Sequence, residues 1–151
     1  MVEVDRRNCW EVLHGKSEQA VELARQGCTR AAARVEQLES QLSRLQTLQT
    51  DYSARLRAAQ ELAQGMSQSA SYRSFLAQIG GLMERTMMDL SNARAVLSAA
   101  RRELLRCEQE QSKYEALIER EDLRAHREAD DIERRAMEEL AISRFLQQKR
   151  A

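Results

Sequence analysis

The side chains in this sequence that could carry out chemistry are its histidines, its cysteines and its clustered carboxylates. The two histidines, His14 and His126, have no further ligands beside them at metal-binding spacing. In a chain folded back on itself they approach each other near the open end, but solvated or half-buried imidazoles are the simpler interpretation. The sequence therefore predicts no metal site.

The three cysteines, Cys9, Cys28 and Cys107, form no Cys-x-x-Cys pair and are odd in number. That pattern is typical of free thiols in a reducing compartment. The carboxylates of 119–122 and 130–133 lie among arginines, which indicates a solvated helical face rather than an acid–base pair. The sequence contains no phosphate-binding loop, dinucleotide fingerprint, zinc-protease motif or nucleophile elbow. We expect no catalytic residue, no cofactor and no enzymatic activity.

The composition predicts which elements position these side chains. The 151 residues include no proline and 5 glycines, and only 4% are aromatic. Such a chain is a poor candidate for a β-sandwich or barrel, which needs turns and β-branched or aromatic strands. The 24 basic and 24 acidic residues balance, which argues against a dedicated nucleic-acid binder. Long helices of a single domain remain.

The sequence shows neither a predicted transmembrane helix nor the features of a signal peptide. No stretch approaches eighteen apolar residues, so no transmembrane helix is predicted. The segment Met1–Lys16 carries charges and lacks the apolar core of a signal peptide. We therefore expect a cytoplasmic protein.

Two seams of mostly apolar residues repeat at alternating steps of four and three, which is the spacing of a coiled coil. The first seam contains Trp10, His14, Ser17, Val21, Ala24, Cys28, Ala31, Val35, Leu38, Leu42, Leu45, Gln49, Tyr52, Leu56, Ala59 and Ala63. The second contains Tyr72, Leu76, Ile79, Met83, Thr86, Leu90, Ala93, Leu97, Ala100, Leu104, Cys107, Gln111, Tyr114 and Ile118. It weakens through Glu121, Ala125, Glu128, Ile132, Arg135 and Glu139, and it recovers at Ile142 and Leu146.

The segment between the seams is rich in Ser and Gly, and it predicts the tip of a hairpin. We expect helix one over about 5–64, a tip over about 65–71 with Ser71 as N-cap, and helix two over about 71–148. The predicted fold is all-α, an antiparallel two-helix coiled-coil hairpin that is a monomer when alone. Gly80-Gly81 inside helix two predicts a bend or a point of close helix approach.

The two ends of the predicted hairpin differ from its leucine-rich middle. Near the termini the seams become polar, which predicts fraying or a partner that completes the core. Near the tip, Leu48, Phe75 and Leu82 stand off the seams. They predict either a docking patch or a locally wider core, and both interpretations stay open.

Four short motifs follow one another along the chain. They are Asp51–Leu56 (acidic-Tyr-x-x-x-Leu), Tyr72–Leu76 (Tyr-x-x-Phe-aliphatic), Tyr114–Arg120 (aromatic-x-x-Leu-x-x-Arg) and Arg135–Ala141 (basic-x-x-acidic-Glu-x-Ala). In this order they resemble the FliJ family, small coiled-coil components of the flagellar type III export apparatus, over nearly the whole length. Tyr114 stands where Trp is frequent and Arg135 where Lys is frequent, and neither changes the residue class.

The resemblance implies a stalk, similar to the γ subunit of rotary ATPases, whose open end enters the hexameric flagellar export ATPase and promotes its activity. It implies that the middle and tip bind the cytoplasmic domain of the export gate at the inner membrane, and that the protein escorts export chaperones. The implied ATPase-binding residues are Arg127, Arg134, Arg135, Glu138 and Glu139. The implied gate-binding residues are Gln41, Leu45, Leu48, Tyr52, Phe75 and Ile79.

Other functions fit the same seams. A virulence type III secretion system has a stalk of this architecture, although the tip motifs favour the flagellar system. A homodimeric scaffold would form the seams between chains, and a helical chaperone would hold its clients directly. On the flagellar interpretation the protein is cytoplasmic and peripherally associated with the inner membrane through the export apparatus.

Overall fold

The computed structural model describes residues 2–62 and 65–150, with side chains from residue 5 onward. Two helices account for nearly all of this part of the chain: α1 (Val2–Glu61) and α2 (Met66–Arg150). They pack against each other as an antiparallel pair, which confirms the predicted all-α coiled-coil hairpin. Ala63 and Gln64, which the sequence placed in helix one, lie outside the described residues.

Helix α2 begins at Met66, earlier than the predicted start near residue 71. The backbone N–H of Leu62 donates to the carbonyl of Ala58 at the end of α1, and the N–H of Gln68 donates to the carbonyl of Gly65 at the start of α2. Ser71 therefore lies inside α2, and its prediction as the N-cap is wrong. The physical reason is that 66–71 contains no proline or glycine, so nothing in its sequence prevents the helix from beginning earlier.

The core follows the two seams. Ten buried residues are found among the described residues, and every one of them occupies a predicted seam position. They are Ser17, Val21, Val35, Leu38, Ala59, Ile79, Thr86, Leu90, Ala93 and Cys107. The heptad spacing therefore identified the buried face of both helices correctly.

The chain divides into two compact units. The first, called here the hairpin unit, is residues 22–105, in which α1 and α2 are joined by the turn. Its core cluster contains Val35, Leu38, Leu90 and Ala93, with Leu42 and Leu97 packed against it. Full burial of one such leucine stabilises the fold by about 1.5–3 kcal/mol.

The second unit, called here the terminal unit, contains the described residues of 1–21 and 106–151. Its register is visible in two contacts, since Arg7 pairs with Asp122 at 3.3 Å and His14 pairs with Glu115 at 3.3 Å. Seven residues forward on α1 correspond to seven residues backward on α2. This is one heptad on each helix, as an antiparallel coiled coil requires.

The terminal unit also contains a long exposed stretch of α2. The register that places Arg7 opposite Asp122 sets Val2 opposite position 127, so α1 does not reach 129–150 within the described part of the chain. All residues of 122–150 are exposed, including the seam positions Ala125, Ile132 and Leu146. The second seam therefore weakens from Glu121, while α1 still lies opposite it, and its later positions Ile132, Ile142 and Leu146 are exposed.

Gly80 and Gly81 lie inside the continuous helix α2. A Cβ atom added at either position would meet no atom within 4 Å. The interpretation that these glycines permit a close helix approach is therefore wrong.

Candidate partner-binding surfaces

An aromatic cluster lies next to the turn in the hairpin unit. The rings of Tyr52 and Phe75 are 4.4 Å apart between centroids and inclined by 46°, and those of Tyr52 and Tyr72 are 6.1 Å apart. The guanidinium group of Arg55 lies 5.0 Å from the Tyr52 centroid. Each ring contact of this kind contributes about 0.5–1.5 kcal/mol beyond the area it buries.

The heptad geometry explains why these rings meet. Tyr52 is a seam residue of α1, whereas Phe75 lies beside the seam of α2, between Tyr72 and Leu76. The antiparallel packing places the Phe75 ring over Tyr52 at the margin of the core. This margin keeps large apolar groups at the surface, because Phe75 is 37% exposed and Leu48 is 40% exposed.

The six residues that the resemblance assigned to gate binding differ in accessibility. Gln41, Leu48 and Phe75 are exposed, while Leu45 and Tyr52 are half-buried. Ile79 is only 2% exposed, so its side chain belongs to the contact between the helices. The exposed Leu48 and Phe75 provide the apolar surface, which we call the tip patch together with Gln41, Leu45 and Tyr52.

The five residues that the resemblance assigned to ATPase binding all lie on the exposed part of α2. Arg127, Arg134 and Glu138 follow one stripe at steps of seven and four, and Arg135 and Glu139 follow the neighbouring stripe. Arg134 pairs with Asp131 at 3.0 Å. Since both side chains are more than half exposed, this pair contributes at most about 1 kcal/mol.

The same part of α2 carries large apolar side chains that the motif comparison did not identify. They are 55–67% exposed and comprise Ile132, Met137, Leu140, Ile142, Phe145 and Leu146. The seam pattern signalled only Ile132, Ile142 and Leu146, because the other three do not fall on the four-three repeat. We call residues 129–150 the bare helix.

The two histidines do not come together in the structure. The His14 nitrogens lie 3.4 Å from Glu18 and 3.3 Å from Glu115. His126 is exposed and lies eleven residues along α2 from Glu115, about 16 Å at 1.5 Å per residue. The expected approach of the two histidines is therefore wrong. No group of three metal-ligating side chains occurs among residues 5–62 and 65–150.

The cysteines are all free thiols. Cys107 is buried at its seam position, Cys28 is half-buried and Cys9 is exposed. Cys107 therefore acts as a small core residue, as its seam position predicted. Within the described residues, no helix has the length and apolarity needed to cross a membrane.

The fold and these surfaces define a class: an antiparallel helical hairpin whose exposed features are a patch beside the turn and a bare helix. Comparison with known proteins identifies the family. Residues 11–150 match the family described as the flagellar FliJ protein, and the chain belongs to this FliJ family. It is therefore a protein of the flagellar export apparatus. Neither a curated protein nor a solved structure matches the chain significantly.

Proposed function

We propose that this protein is a non-enzymatic, stalk-like component of the flagellar export apparatus. Its bare helix inserts into the hexameric export ATPase and promotes ATP hydrolysis, and its tip patch binds the cytoplasmic domain of the export gate. The protein thereby links the two machines, and it escorts empty export chaperones. It acts in the cytoplasm, peripherally associated with the inner membrane through these partners.

The distribution of apolar groups around the bare helix carries this proposal. At about 100° per residue, Ile132, Leu140 and Met137 project within one half of the circumference, and Phe145, Ile142 and Leu146 project within the other half. A helix packed on one surface needs only one apolar stripe, whereas apolar groups spread around the circumference favour contacts on more than one side. The lumen of a ring-shaped ATPase surrounds an inserted helix in this way.

Charge supports the same assignment. The bare helix carries both signs close together, for example Arg134, Arg135, Glu138 and Glu139 within six positions. A surface of this kind favours a partner with polar and apolar contacts on several subunits over a purely hydrophobic groove. It also keeps the unpartnered helix hydrated before it finds the ATPase.

The tip patch supports the second contact. Phe75 and Tyr52 form an aromatic pair with ring centroids 4.4 Å apart, and Leu48, one turn before Tyr52, is exposed. Aromatic side chains held in place by their neighbours lose little conformational freedom on binding, which is why they dominate interface energies. The patch belongs to the hairpin unit, whereas the bare helix belongs to the terminal unit, so the two proposed contacts use separate sets of residues.

Two matched double variants test the division of roles. Phe75→Ala with Tyr52→Ala removes the aromatic pair, and Arg135→Glu with Glu139→Arg exchanges two charges without changing the net charge. We expect the first pair to weaken binding to the purified gate domain and to preserve stimulation of the ATPase. We expect the second pair to do the reverse.

The controls separate folding from function. Circular dichroism of each variant must show the helicity of the unmodified chain at the assay temperature. If saturating unmodified protein leaves ATP turnover unchanged, the stalk role is refuted. If both variants weaken only one of the two partners, the assignment of surfaces to partners is wrong.

Packing of both seams within one chain favours a monomer over the scaffold alternative. The ten buried residues find their partners between α1 and α2, so a second chain is not needed to cover them. Light scattering at micromolar concentration is expected to give the monomer mass. A stable dimer would instead favour the scaffold.

A further inference from the structure

A cleft between α1 and α2 in the terminal unit has an unusual lining. It has a volume of about 650 Å³, and its principal residues are Arg6, Trp10, Leu117, Arg120, Arg124 and Arg127. This volume falls within the range of about 300–1,000 Å³ in which proteins bind ligands or anchoring side chains. We call it the Arg–Trp cleft.

The arginines of the cleft are available for binding. Among the described residues, none of the four guanidinium groups forms an ion pair, whereas the neighbouring Arg7 pairs with both Glu11 and Asp122. Glu121 and Glu128 also line the cleft. Four positive and two negative charges leave an excess of two positive charges, which attracts an anionic group.

The floor of the cleft is apolar. Trp10 is half-buried, and its ring lies 6.2 Å from that of Tyr114 at an angle of 34°. Leu117 is half-buried beside it, and Leu123 lines the same cleft and is 54% exposed. A ligand that carries charge alone would leave this floor in water, so the occupant must also supply a large apolar group.

The arrangement of the charges indicates the kind of anion. Arg120, Arg124 and Arg127 follow one stripe of α2 at steps of four and three, which is the spacing at which a second helix places acidic side chains one turn apart. A nucleic acid would instead run its continuous phosphates past Glu121 and Glu128, which line the same cleft. Those carboxylates repel a polyanion but leave room for separate carboxylates, which arginine binds in a bidentate fashion.

We propose that the Arg–Trp cleft binds an acidic helical segment of a partner protein, with one large apolar side chain placed on Trp10 and carboxylates placed on Arg120 and Arg124. Tryptophan and arginine are also the residues that most often dominate binding energies at interfaces. The site is distinct from the bare helix, because it is formed where α1 and α2 are paired. It shares only Arg127 with the proposed ATPase-binding residues.

A synthetic peptide provides the test. The probe is a short helical peptide with glutamates one turn apart on both sides of a central leucine. Trp10 is the only tryptophan of the chain, so its fluorescence reports occupation of the cleft directly. We expect saturable binding that weakens with added salt, no binding of the same peptide with glutamines in place of glutamates, and weaker binding when its leucine is replaced by alanine.

Variants of the full chain locate the site. Arg120→Gln with Arg124→Gln is expected to weaken peptide binding about tenfold, since two exposed charge pairs with the peptide are lost. The matched control is Arg101→Gln with Arg102→Gln, which removes the same charge from exposed positions of α2 outside the cleft. The control is expected to bind as the unmodified chain does. Glutamine is nearly as good a helix former as arginine, so both variants are expected to stay folded.

Four results of the peptide assay would overturn the proposal. They are no saturable binding of the acidic peptide, equal binding of the glutamine peptide, equal weakening by the control variant, and displacement of the peptide by inorganic phosphate or a single-stranded oligonucleotide at an equal or lower concentration. Concentration-dependent self-association that the Arg120 and Arg124 substitutions abolish would assign the cleft to a second copy of the chain and would also overturn it. The peptide contains nothing of the ATPase, so failure here leaves the stalk proposal unaffected.

Discussion

Replacing Gly80 and Gly81 by alanine should stabilise the protein. Both residues lie in the interior of α2, where glycine is about 1 kcal/mol less favourable than alanine. The added methyl group at either position would meet no atom within 4 Å, so no steric cost offsets this gain. We expect each single substitution to raise the free energy of unfolding by about 1 kcal/mol and the double substitution by about 2 kcal/mol.

The melting temperature translates this gain into a measurable shift. For a chain of this length, 1 kcal/mol raises the melting temperature by about 2–4 °C, so the double variant should melt about 4–8 °C higher. Urea titration followed by circular dichroism measures the free energy directly, and its slope should not change, because the surface exposed on unfolding stays nearly the same.

A reverse substitution provides the matched control. Ala99 is an exposed residue in the interior of the same helix, and Ala99→Gly should lower the free energy of unfolding by about 1 kcal/mol. If Ala99→Gly destabilises as expected while the glycine replacements fail to stabilise, the reasoning is refuted. The glycines would then take part in a contact or a bend that the open space around them does not reveal.

Three further predictions concern the core, the thiols and the bare helix. Leu38→Ala should lower the free energy of unfolding in urea by about 2–5 kcal/mol, while Leu23→Ala, at an exposed position, should change it by less than about 0.5 kcal/mol; equal effects would contradict the assigned core. Cys9 should react with a thiol reagent at once and Cys107 only on unfolding, because the first is exposed and the second is buried; simultaneous modification in the folded chain would contradict that burial. Removal of 129–150 should reduce total helicity but leave the melting temperature of the remainder within about 3 °C, because no residue of this segment is buried; a larger fall would show that the bare helix packs on the rest of the chain.

The sequence correctly predicted which face of each helix is buried. Each of the ten buried residues lies on a four-three seam, and even polar Ser17 and Thr86 are buried where the repeat placed them. Their hydroxyl groups donate to backbone carbonyls of their own helices, those of His14 and Leu82. This satisfaction within the helix explains why a polar side chain is tolerated on the seam.

The start of α2 was less predictable because its signals are weak. Serine is a common N-cap, and the sequence therefore predicts Ser71 in that position. In the structure α2 begins at Met66 and continues through the serines that follow it. Local preference for a cap contributes about 1 kcal/mol, which additional helical turns readily exceed.

The sequence by itself determined that this chain forms two long helices and which face each helix buries, because absence of proline and a heptad repeat are local properties. It did not determine the register. A repeat of seven is unchanged when one helix slides past the other by a heptad, so only the packed structure places Arg7 opposite Asp122 and His14 opposite Glu115. The tertiary structure alone therefore decided which part of α2 lies opposite α1 and which part is exposed. It also decided that the Phe75 ring lies over Tyr52 and that arginines gather around Trp10.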